Sequence, residues 1–225
     1  MNERFIPFWR RIQTEREEAK ADARALEIST GMAREARIDH LTGLQNRAAF
    51  EEHMGRSLGR FFDTHKRADE EHIRSISIVM IDVDHFKKIN DVFGHAKGDE
   101  VLKAIGQLLR GKVRGNDCAA RLGGDEFALG FVGIDEKAVL KRAEEIRTEF
   151  MGVIKGFGLA WPGEPAPVGM SIGVASVNLD SEHLSLEKLV KRADNAMYAA
   201  KKAGKNSIAS HTEHPEENRG PAVSG

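Results

Sequence analysis

The chain has 225 residues, enough for one domain with a full core or for one domain plus an extension. Hydrophobic residues make up 40% of it and the formal net charge is −1, so we expect a globular protein without a nucleic-acid partner. The lone cysteine, Cys118, excludes a disulfide framework and a cysteine-built zinc site, and it predicts a cytoplasmic location. No apolar run approaches the roughly 20 residues of a membrane span, so no membrane contact is expected.

Residues 1–38 are rich in Arg, Glu and Ala and predict an amino-terminal helix. The positions that recur there at intervals of seven are apolar, at Phe5, Ile12, Ala19, Leu26 and Ala33. The positions four residues further on are only partly apolar, so the pattern is half of a coiled-coil seam. Two interpretations stay open for this segment, a helix that dimerises the protein and a solvated connector.

A globular domain is predicted over residues 39–209, and its first half centres on a buried strand. An almost continuous apolar run at 76–81 ends at Asp82, which is the pattern of a strand buried on both faces. In chain order this half is predicted to contain a capped turn at 39–44, a helix at about 46–62, a loop at 63–74, the buried strand, a helix at 86–93 closed by Gly94, and a helix with its apolar face at 101–109.

The second half of this domain contains an alternating strand pattern at 168–174. Gly169, Ser171 and Gly173 leave one face of that strand almost bare, so we expect close packing there. In chain order this half is predicted to contain a hairpin around 121–127, a helix at 139–150, a Gly/Pro-rich connection at 156–167, the alternating strand, a helix at 186–200 and a closing strand at about 206–209. Residues 210–225 are predicted to be a disordered tail.

The hairpin carries the run RLGGDEF at 121–127, in which two glycines precede two carboxylates. Gly123 and Gly124 permit positive φ and a close approach of substrate to the backbone. Asp125 and Glu126 concentrate negative charge at the turn. Ordinary exposed turns use the same residue types for conformational reasons. The motif alone therefore leaves a metal and phosphate site and a plain turn both open.

A second acidic motif, Asp82-Val83-Asp84, lies where the buried strand ends and a helix begins. Carboxylates at such a place can hold a cation beside the free amides of the helix start, which favour phosphate. Magnesium usually takes one or two protein carboxylates plus phosphate oxygens and waters. Asp82, Asp125 and Glu126 would therefore suffice for one or two ions. Asp84 has the alternative role of capping the helix.

Six ordered segments resemble the diguanylate cyclase family, whose GGDEF signature is present letter for letter at 123–127. The other segments are 39–47, 82–91, 94–99, 171–175 and 193–206. The resemblance covers about 39–209 and implies a palm-like α/β (α+β) sandwich of the nucleotidyl-cyclase type. Such a domain has a mainly antiparallel central sheet flanked by helices, here preceded by the amino-terminal helix.

The resemblance also implies how the nucleotide's phosphates and the metal are bound. Catalytic or metal-binding positions of the family match Asp82, the Val83 carbonyl, Asp125 and Glu126, with two Mg²⁺ or Mn²⁺ ions per GTP as the cofactor. Substrate-binding positions match the amides around His85, Phe86 and Lys87, the glycines Gly123 and Gly124, and the lysines Lys201 and Lys205, which would act as charges on the triphosphate. Composition alone favours solvated helix-end lysines.

The guanine-reading pair of the family matches Asn90 and Asp99. A carboxylate accepts hydrogen bonds from the N1 and N2 hydrogens of guanine, which adenine cannot offer, so Asp99 predicts GTP rather than ATP. A helix cap after Gly98 is the alternative role of Asp99.

The activity that the resemblance implies is condensation of two GTP into cyclic di-GMP with release of pyrophosphate. Because each domain of this kind holds one GTP, an antiparallel homodimer is expected. Arg114 and Asp117 match the family's RxxD site for inhibitory product, although an Arg and an Asp at this spacing are also typical of a surface turn. A non-catalytic cyclic di-GMP receptor and a nucleotidyl cyclase for another substrate are the competing hypotheses.

Overall fold

The computed structural model describes residues 36–64, 73–159, 168–178, 181 and 183–211. The chain divides into two compact units, Met1–Ile38 and Asp39–Gly225, and nearly all described residues belong to the second. The predicted helix at 1–38 lies outside the described residues up to residue 35, and so does the predicted tail from residue 212 onward.

The described residues of the second unit form six strands and five helices. In chain order these are β1 (Gln45–Asn46), α1 (Arg47–Thr64), β2 (Ser75–Val83), α2 (Phe86–Phe93), α3 (His95–Arg110), β3 (Cys118–Gly123), β4 (Glu126–Val132), α4 (Glu136–Gly156), β5 (Met170–Asn178), α5 (Leu186–Lys202) and β6 (Ile208–Ser210).

All six strands join one sheet in the order β1-β3-β4-β2-β5-β6. The pairs β3–β4, β4–β2 and β2–β5 are antiparallel, whereas β1 and β6 pair in parallel at the two edges. The predicted mainly antiparallel sheet is therefore confirmed. β2 is central, as its continuous apolar run indicated, because hydrogen-bonded neighbours cover both of its edges.

Helices cover both faces of this sheet. Val79 and Ile81 pack into a core shared with α2, α3 and α4, whereas Ile76, Ile78 and Met80 pack into a second core shared with α1 and α5. Successive side chains of a strand point to opposite faces, so one apolar run serves two cores. The sandwich predicted from the sequence is confirmed, and Asp82 lies at the end of β2 on the face that α5 covers.

The bare face predicted around Gly169 and Gly173 is also confirmed as a place of close packing. A Cβ atom at Gly173 would collide with the backbone of α5 at Ala193 and Met197, and one at Gly169 would collide with Asn206. Gly173 within β5 thus lets α5 lie directly on the sheet, and Gly169 just before β5 does the same for the turn that follows α5.

Several element boundaries differ from the predicted ones. α3 buries the apolar face predicted at 101–109, and it begins at His95, six residues before that face, with residues that are mostly exposed. β5 continues to Asn178, and the short strand β1 was not predicted. β6 ends at Ser210, one residue beyond the predicted end of the domain.

Candidate functional site

The two acidic motifs meet at the ends of two central strands. β2 and β4 pair so that Asp82 lies opposite Glu126, and the backbone N–H of Val83 donates to the carbonyl oxygen of Asp125 at 3.3 Å. The end of β2 and the tip of the β3–β4 hairpin are thereby held side by side. The backbone at Asp82 is thereby placed beside that of Asp125 and Glu126, which lie more than 40 residues further along the chain.

Charge at this edge is concentrated around Asp82. Burial raises the pKa of its carboxyl group, and the charges of Asp125 and Asp84 raise it further, while Lys201 opposes both. Nζ of Lys201 donates to Oδ2 of Asp82 at 2.7 Å, and a guanidinium nitrogen of Arg47 lies 3.8 Å from Oε2 of Glu126. Two partly exposed cationic side chains therefore lie against the acidic residues.

These residues suit a hard divalent cation in their chemistry, because Asp82, Asp125 and Glu126 offer only carboxylate oxygens and the pKa of Asp82 is raised partly by a neighbouring negative charge. Among the described residues, no three acidic, His or Cys side chains are gathered closely enough to hold a metal ion as they stand. In this conformation Lys201 supplies the positive charge at Asp82.

The hairpin tip adopts the backbone conformation for which the glycines were singled out. Gly123 and Gly124 have φ of 148° and 52°, and a Cβ atom at either would meet no other atom within 4 Å. Their requirement is therefore conformational. Arg121 binds the hairpin tip, since its Nε and Nη2 donate to the Gly124 carbonyl oxygen at 2.9 and 2.8 Å. Its Nη1 donates to the carboxylate of Asp39.

The first turn of α2 follows closely on the end of β2, beside these carboxylates. The helix begins at Phe86, and His85 precedes it in a left-handed conformation with φ 62°. The first N–H groups of a helix, including those of Phe86 and Lys87, have no acceptor within the helix and attract anions. We call the amides around His85, Phe86 and Lys87 the phosphate cradle. Nζ of Lys205 lies 3.2 Å from Nε2 of His85, so a second lysine reaches this cradle.

Asp84 does not take the helix-capping role that the sequence left open for it. The start of α2 has no side-chain cap, so the capping interpretation is wrong. The residue is 2% exposed, and its carboxylate accepts hydrogen bonds from the Ser171 hydroxyl at 2.7 Å and the Asn206 backbone N–H at 2.8 Å. These partners point Asp84 into the protein rather than toward the acidic edge.

Asn90 and Asp99 lie on adjacent helices. Asn90 is on α2, and a Cβ atom at Gly98 on α3 would collide with its Oδ1, so the Asn90 amide packs directly over the residue before Asp99. Asp99 is exposed and is the fifth residue of α3, whose N-cap is Gly94. The helix-cap alternative for Asp99 is therefore wrong, and its carboxylate is open to a ligand.

Arg114 and Asp117 form a separate region at the other end of β3, roughly 20 Å from the hairpin tip at about 3.3 Å per strand residue. Oδ2 of Asp117 accepts the backbone N–H of Arg114 at 3.3 Å and Oδ1 accepts that of Val132 at 3.1 Å. Asp117 thus shapes a turn, while Arg114 is exposed.

Sequence reasoning missed Arg142 on α4. Its Nη1 lies 3.9 Å from Oδ2 of Asp117 and donates to the Lys112 carbonyl at 3.2 Å, and its guanidinium lies 5.4 Å from the centre of the Phe131 ring. A cavity of about 300 Å³ is lined by Gly111, Lys112, Val113, Arg114, Arg142 and Glu145. Nothing in the local sequence around Arg142 marks it, because only the packing of α4 brings it to Arg114.

Residues 36–207, well over half of the chain, match the family model described as Diguanylate cyclase, GGDEF domain. The chain belongs to the GGDEF domain family. A GGDEF domain thus accounts for both the sheet order and the acidic hairpin. None of the helices in the described ranges has the length and apolarity that a membrane crossing requires.

Two curated relatives resemble this GGDEF chain over part of their length. It is 39% identical over 134 residues to Diguanylate cyclase A of Treponema denticola, covering 60% of this chain and 34% of that protein. It is 36% identical over 187 residues to Diguanylate cyclase TpbB of Pseudomonas aeruginosa, covering 82% of this chain and 40% of that protein. The chain therefore spans well under half the length of either relative.

A solved structure shares the fold of this GGDEF domain. The coiled coil and GGDEF domain of DgcB from Caulobacter crescentus, in complex with c-di-GMP, matches with a TM-score of 0.70 at 26% identity. The match covers 88% of this chain and 98% of that chain.

Proposed function

We propose that this GGDEF domain is a diguanylate cyclase that condenses two GTP molecules into cyclic di-GMP and releases pyrophosphate. The observation that carries the proposal is the pairing of β2 with β4, which sets Asp82 opposite Glu126 and beside Asp125. Carboxylates collected at a strand end, next to the open start of a helix, are suited to binding a nucleotide triphosphate with its cations.

Asp82, the Val83 carbonyl, Asp125 and Glu126 would hold Mg²⁺ or Mn²⁺, two ions per GTP. When bound, such ions lower the pKa of the attacking hydroxyl and draw charge from the α-phosphate. The chain's own contribution is then mainly the placement of the two substrates, as in other phosphoryl transfers.

The triphosphate would lie against the start of α2. The amides around His85, Phe86 and Lys87 and the backbone of Gly123 and Gly124 would face its oxygens. Lys201 and Lys205 reach the same space, since they contact Asp82 and His85 respectively. These lysines would orient the chain of phosphates so that the bond to the departing pyrophosphate lies opposite the incoming 3′-oxygen.

Asn90 and Asp99 would read the guanine base. The exposed carboxylate of Asp99 can accept two hydrogen bonds from the Watson–Crick edge of guanine, whereas adenine presents an acceptor at N1. The contact of Asn90 with Gly98 supports this assignment, because it keeps the amide of Asn90 close to Asp99. We therefore expect GTP to be preferred over ATP.

Each GGDEF domain offers one such site, so the reaction needs two chains whose sites face each other. Two attacks of a 3′-hydroxyl on the partner's α-phosphate then close the ring. We propose that residues 1–38 promote this antiparallel homodimer through their heptad-spaced apolar residues. The matched DgcB structure includes a coiled coil, which supports this part of the proposal. The test measures turnover per chain on dilution, while light scattering reports the oligomeric state. Turnover that stays constant when the protein has become monomeric would contradict the need for a dimer.

Product would bind at the RxxD region and inhibit the enzyme. Arg114 presents an exposed guanidinium beside the cavity, and Arg142 contributes a second one from α4. Guanidinium groups bind phosphate oxygens and guanine edges through paired hydrogen bonds. Asp117 would hold the turn that presents Arg114.

The test is incubation of the purified chain with GTP and Mg²⁺, with pyrophosphate release and the mass of the product as readouts. We expect cyclic di-GMP, its loss in Asp125→Asn, and little competition from ATP. Binding of cyclic di-GMP without pyrophosphate release would instead identify a non-catalytic receptor. A cyclic product made equally well from ATP would identify a nucleotidyl cyclase of another specificity.

A further inference from the structure

Asp84 is a buried carboxylate to which the reaction above assigns no role. In the chain it lies between Asp82 and the start of α2, and both of its oxygens accept hydrogen bonds, from Ser171 and from the Asn206 backbone N–H. Its own backbone N–H donates to the Gly169 carbonyl at 2.9 Å. A carboxylate that is 2% exposed needs such partners, since an uncompensated buried charge is very unfavourable.

The bond to Asn206 fixes a strained turn. Residues 204–206, here called the lysine turn, follow α5 with φ of 121° at Gly204, 65° at Lys205 and 41° at Asn206. Left-handed conformations are unfavourable for residues with a Cβ atom, so outside contacts must maintain this turn. Asp84 accepts the backbone N–H of Asn206. Nη1 of Arg147 donates to the carbonyl oxygen and to Oδ1 of Asn206, both at 3.2 Å.

The lysine turn carries a charge that faces the cradle. Lys205 is exposed at its middle position, and its Nζ lies 3.2 Å from Nε2 of His85. Since Asp84 immediately precedes His85, one short backbone segment both anchors the turn and begins the cradle. Movement of either part would change the distance between the Lys205 ammonium and the amides of α2.

We propose that Asp84 is a positioning residue that locks the lysine turn against the phosphate cradle and so presets Lys205 for the terminal phosphates of GTP. This inference rests on the proposed function. It assigns to Asp84 a role different from that of Asp82, whose carboxylate faces Lys201 and the acidic edge.

The test compares Asp84→Ala with Ser77→Ala, which removes the partly buried Ser77–Ser176 hydrogen bond between β2 and β5 and serves as the matched control. Binding of a non-hydrolysable GTP analogue and of GMP is measured by calorimetry, and KM and kcat by pyrophosphate release. For Asp84→Ala we expect about tenfold weaker binding of the GTP analogue and a similar rise in KM, with kcat and GMP binding within about twofold of wild type. Ser77→Ala should leave all four values near wild type.

A double-mutant cycle with Lys205→Ala identifies the route of the effect. If Asp84 acts through Lys205, Asp84→Ala should weaken GTP binding by less than about twofold in the Lys205→Ala background. Asp84→Asn should recover part of the affinity, because its amide can still accept from Asn206 while donating to Ser171. This variant also supplies the comparison if Asp84→Ala does not fold.

Losses that simply multiply in the double variant, or an equal loss of GMP binding, would overturn the role of Asp84 while leaving the cyclase proposal intact. If Asp84→Asn recovers no affinity for the GTP analogue and Ser77→Ala also loses affinity, the effect of Asp84 is a general one on stability and the proposed positioning role is overturned. A wild-type chain that binds no GTP would remove the proposed function and this inference together.

Discussion

The hairpin end of β3 and the RxxD end of β3 both contain acidic and basic residues, but they are held in different ways. At the hairpin end, Asp82 and Glu126 face the side chains of Lys201 and Arg47, which are partly exposed. At the other end, Asp117 binds two backbone N–H groups and has a 9% exposed side chain. A bound cation can take the place of the Lys201 side chain beside Asp82. The two backbone N–H groups that Asp117 binds are part of the fold, so a ligand cannot take their place.

The comparison predicts that losing carboxylate charge at the hairpin end removes activity without unfolding the domain. Asp82→Asn and Glu126→Gln should each reduce turnover of GTP by about 10³-fold or more, as expected for lost ligands of catalytic cations. Thermal unfolding should shift by only a few degrees. Steady-state pyrophosphate release beside calorimetry measures both quantities, and the exposed Glu51→Gln on α1 is the matched control. Turnover within tenfold of wild type in both variants would refute the assignment.

The opposite balance is expected for the acid at the RxxD end. Asp117→Ala should lower the free energy of unfolding by about 1–2 kcal/mol, because it removes the acceptor of two backbone N–H groups, the partly buried one of Val132 and the exposed one of Arg114. Asp125→Ala should cost less than about 0.5 kcal/mol, as a turn residue outside the core. Urea unfolding of the two variants compares them directly. Equal losses of unfolding free energy in the two variants would contradict the proposed difference between the two ends of β3.

Arg114 offers a way to separate regulation from synthesis. Arg114→Ala should keep turnover within about twofold of wild type while raising the inhibitory concentration of cyclic di-GMP by about tenfold, since a charge-assisted contact to the product is lost. Arg142→Ala should act in the same direction, and the exposed Arg56→Ala on α1 should not. Inhibition curves from the pyrophosphate assay give the result. Unchanged inhibition in both Arg114→Ala and Arg142→Ala would exclude this cavity as the product site.

The smallest expected effect on stability concerns Asp39, which pairs with Arg121 next to the hairpin. Burial acts to raise the pKa of Asp39, but hydrogen bonds from Thr42 and the charge of Arg121 outweigh it and hold the pKa below its usual value of 3.8. A lowered carboxyl pKa contributes stability above the unfolded-state pKa, and that stability is lost as the pH falls through the folded-state pKa.

Asp39→Asn should therefore lower the free energy of unfolding by up to about 1 kcal/mol at pH 7, the upper range for a partly exposed ion pair. The difference from wild type should shrink below about pH 4, because the carboxyl group is then protonated in the unfolded state and, at still lower pH, in the folded state as well. Urea unfolding at pH 7, 5 and 3 measures it, with the exposed Asp91→Asn as control. A difference that does not depend on pH would show that charge at Asp39 is not responsible.

Much of the site was predicted from local patterns. The glycines of the hairpin have the positive φ that their sequence indicated, and Asp82 ends a central strand as its apolar run predicted. The order of six motifs indicated the family. In contrast, the helix-cap interpretations of Asp84 and Asp99 were wrong, because helix starts depend on the path of the chain as well as on residue type.

The sequence by itself determined the family, the two-faced burial of β2 and the residue types available to a phosphate and metal site, because these depend on neighbours within a few positions. Only the tertiary structure decided which distant groups meet. Lys201 contacts Asp82, Arg142 approaches Asp117, and Asp84 binds the lysine turn 122 residues further along the chain. Strand register and helix packing set such pairs, and no periodicity in one segment contains that information.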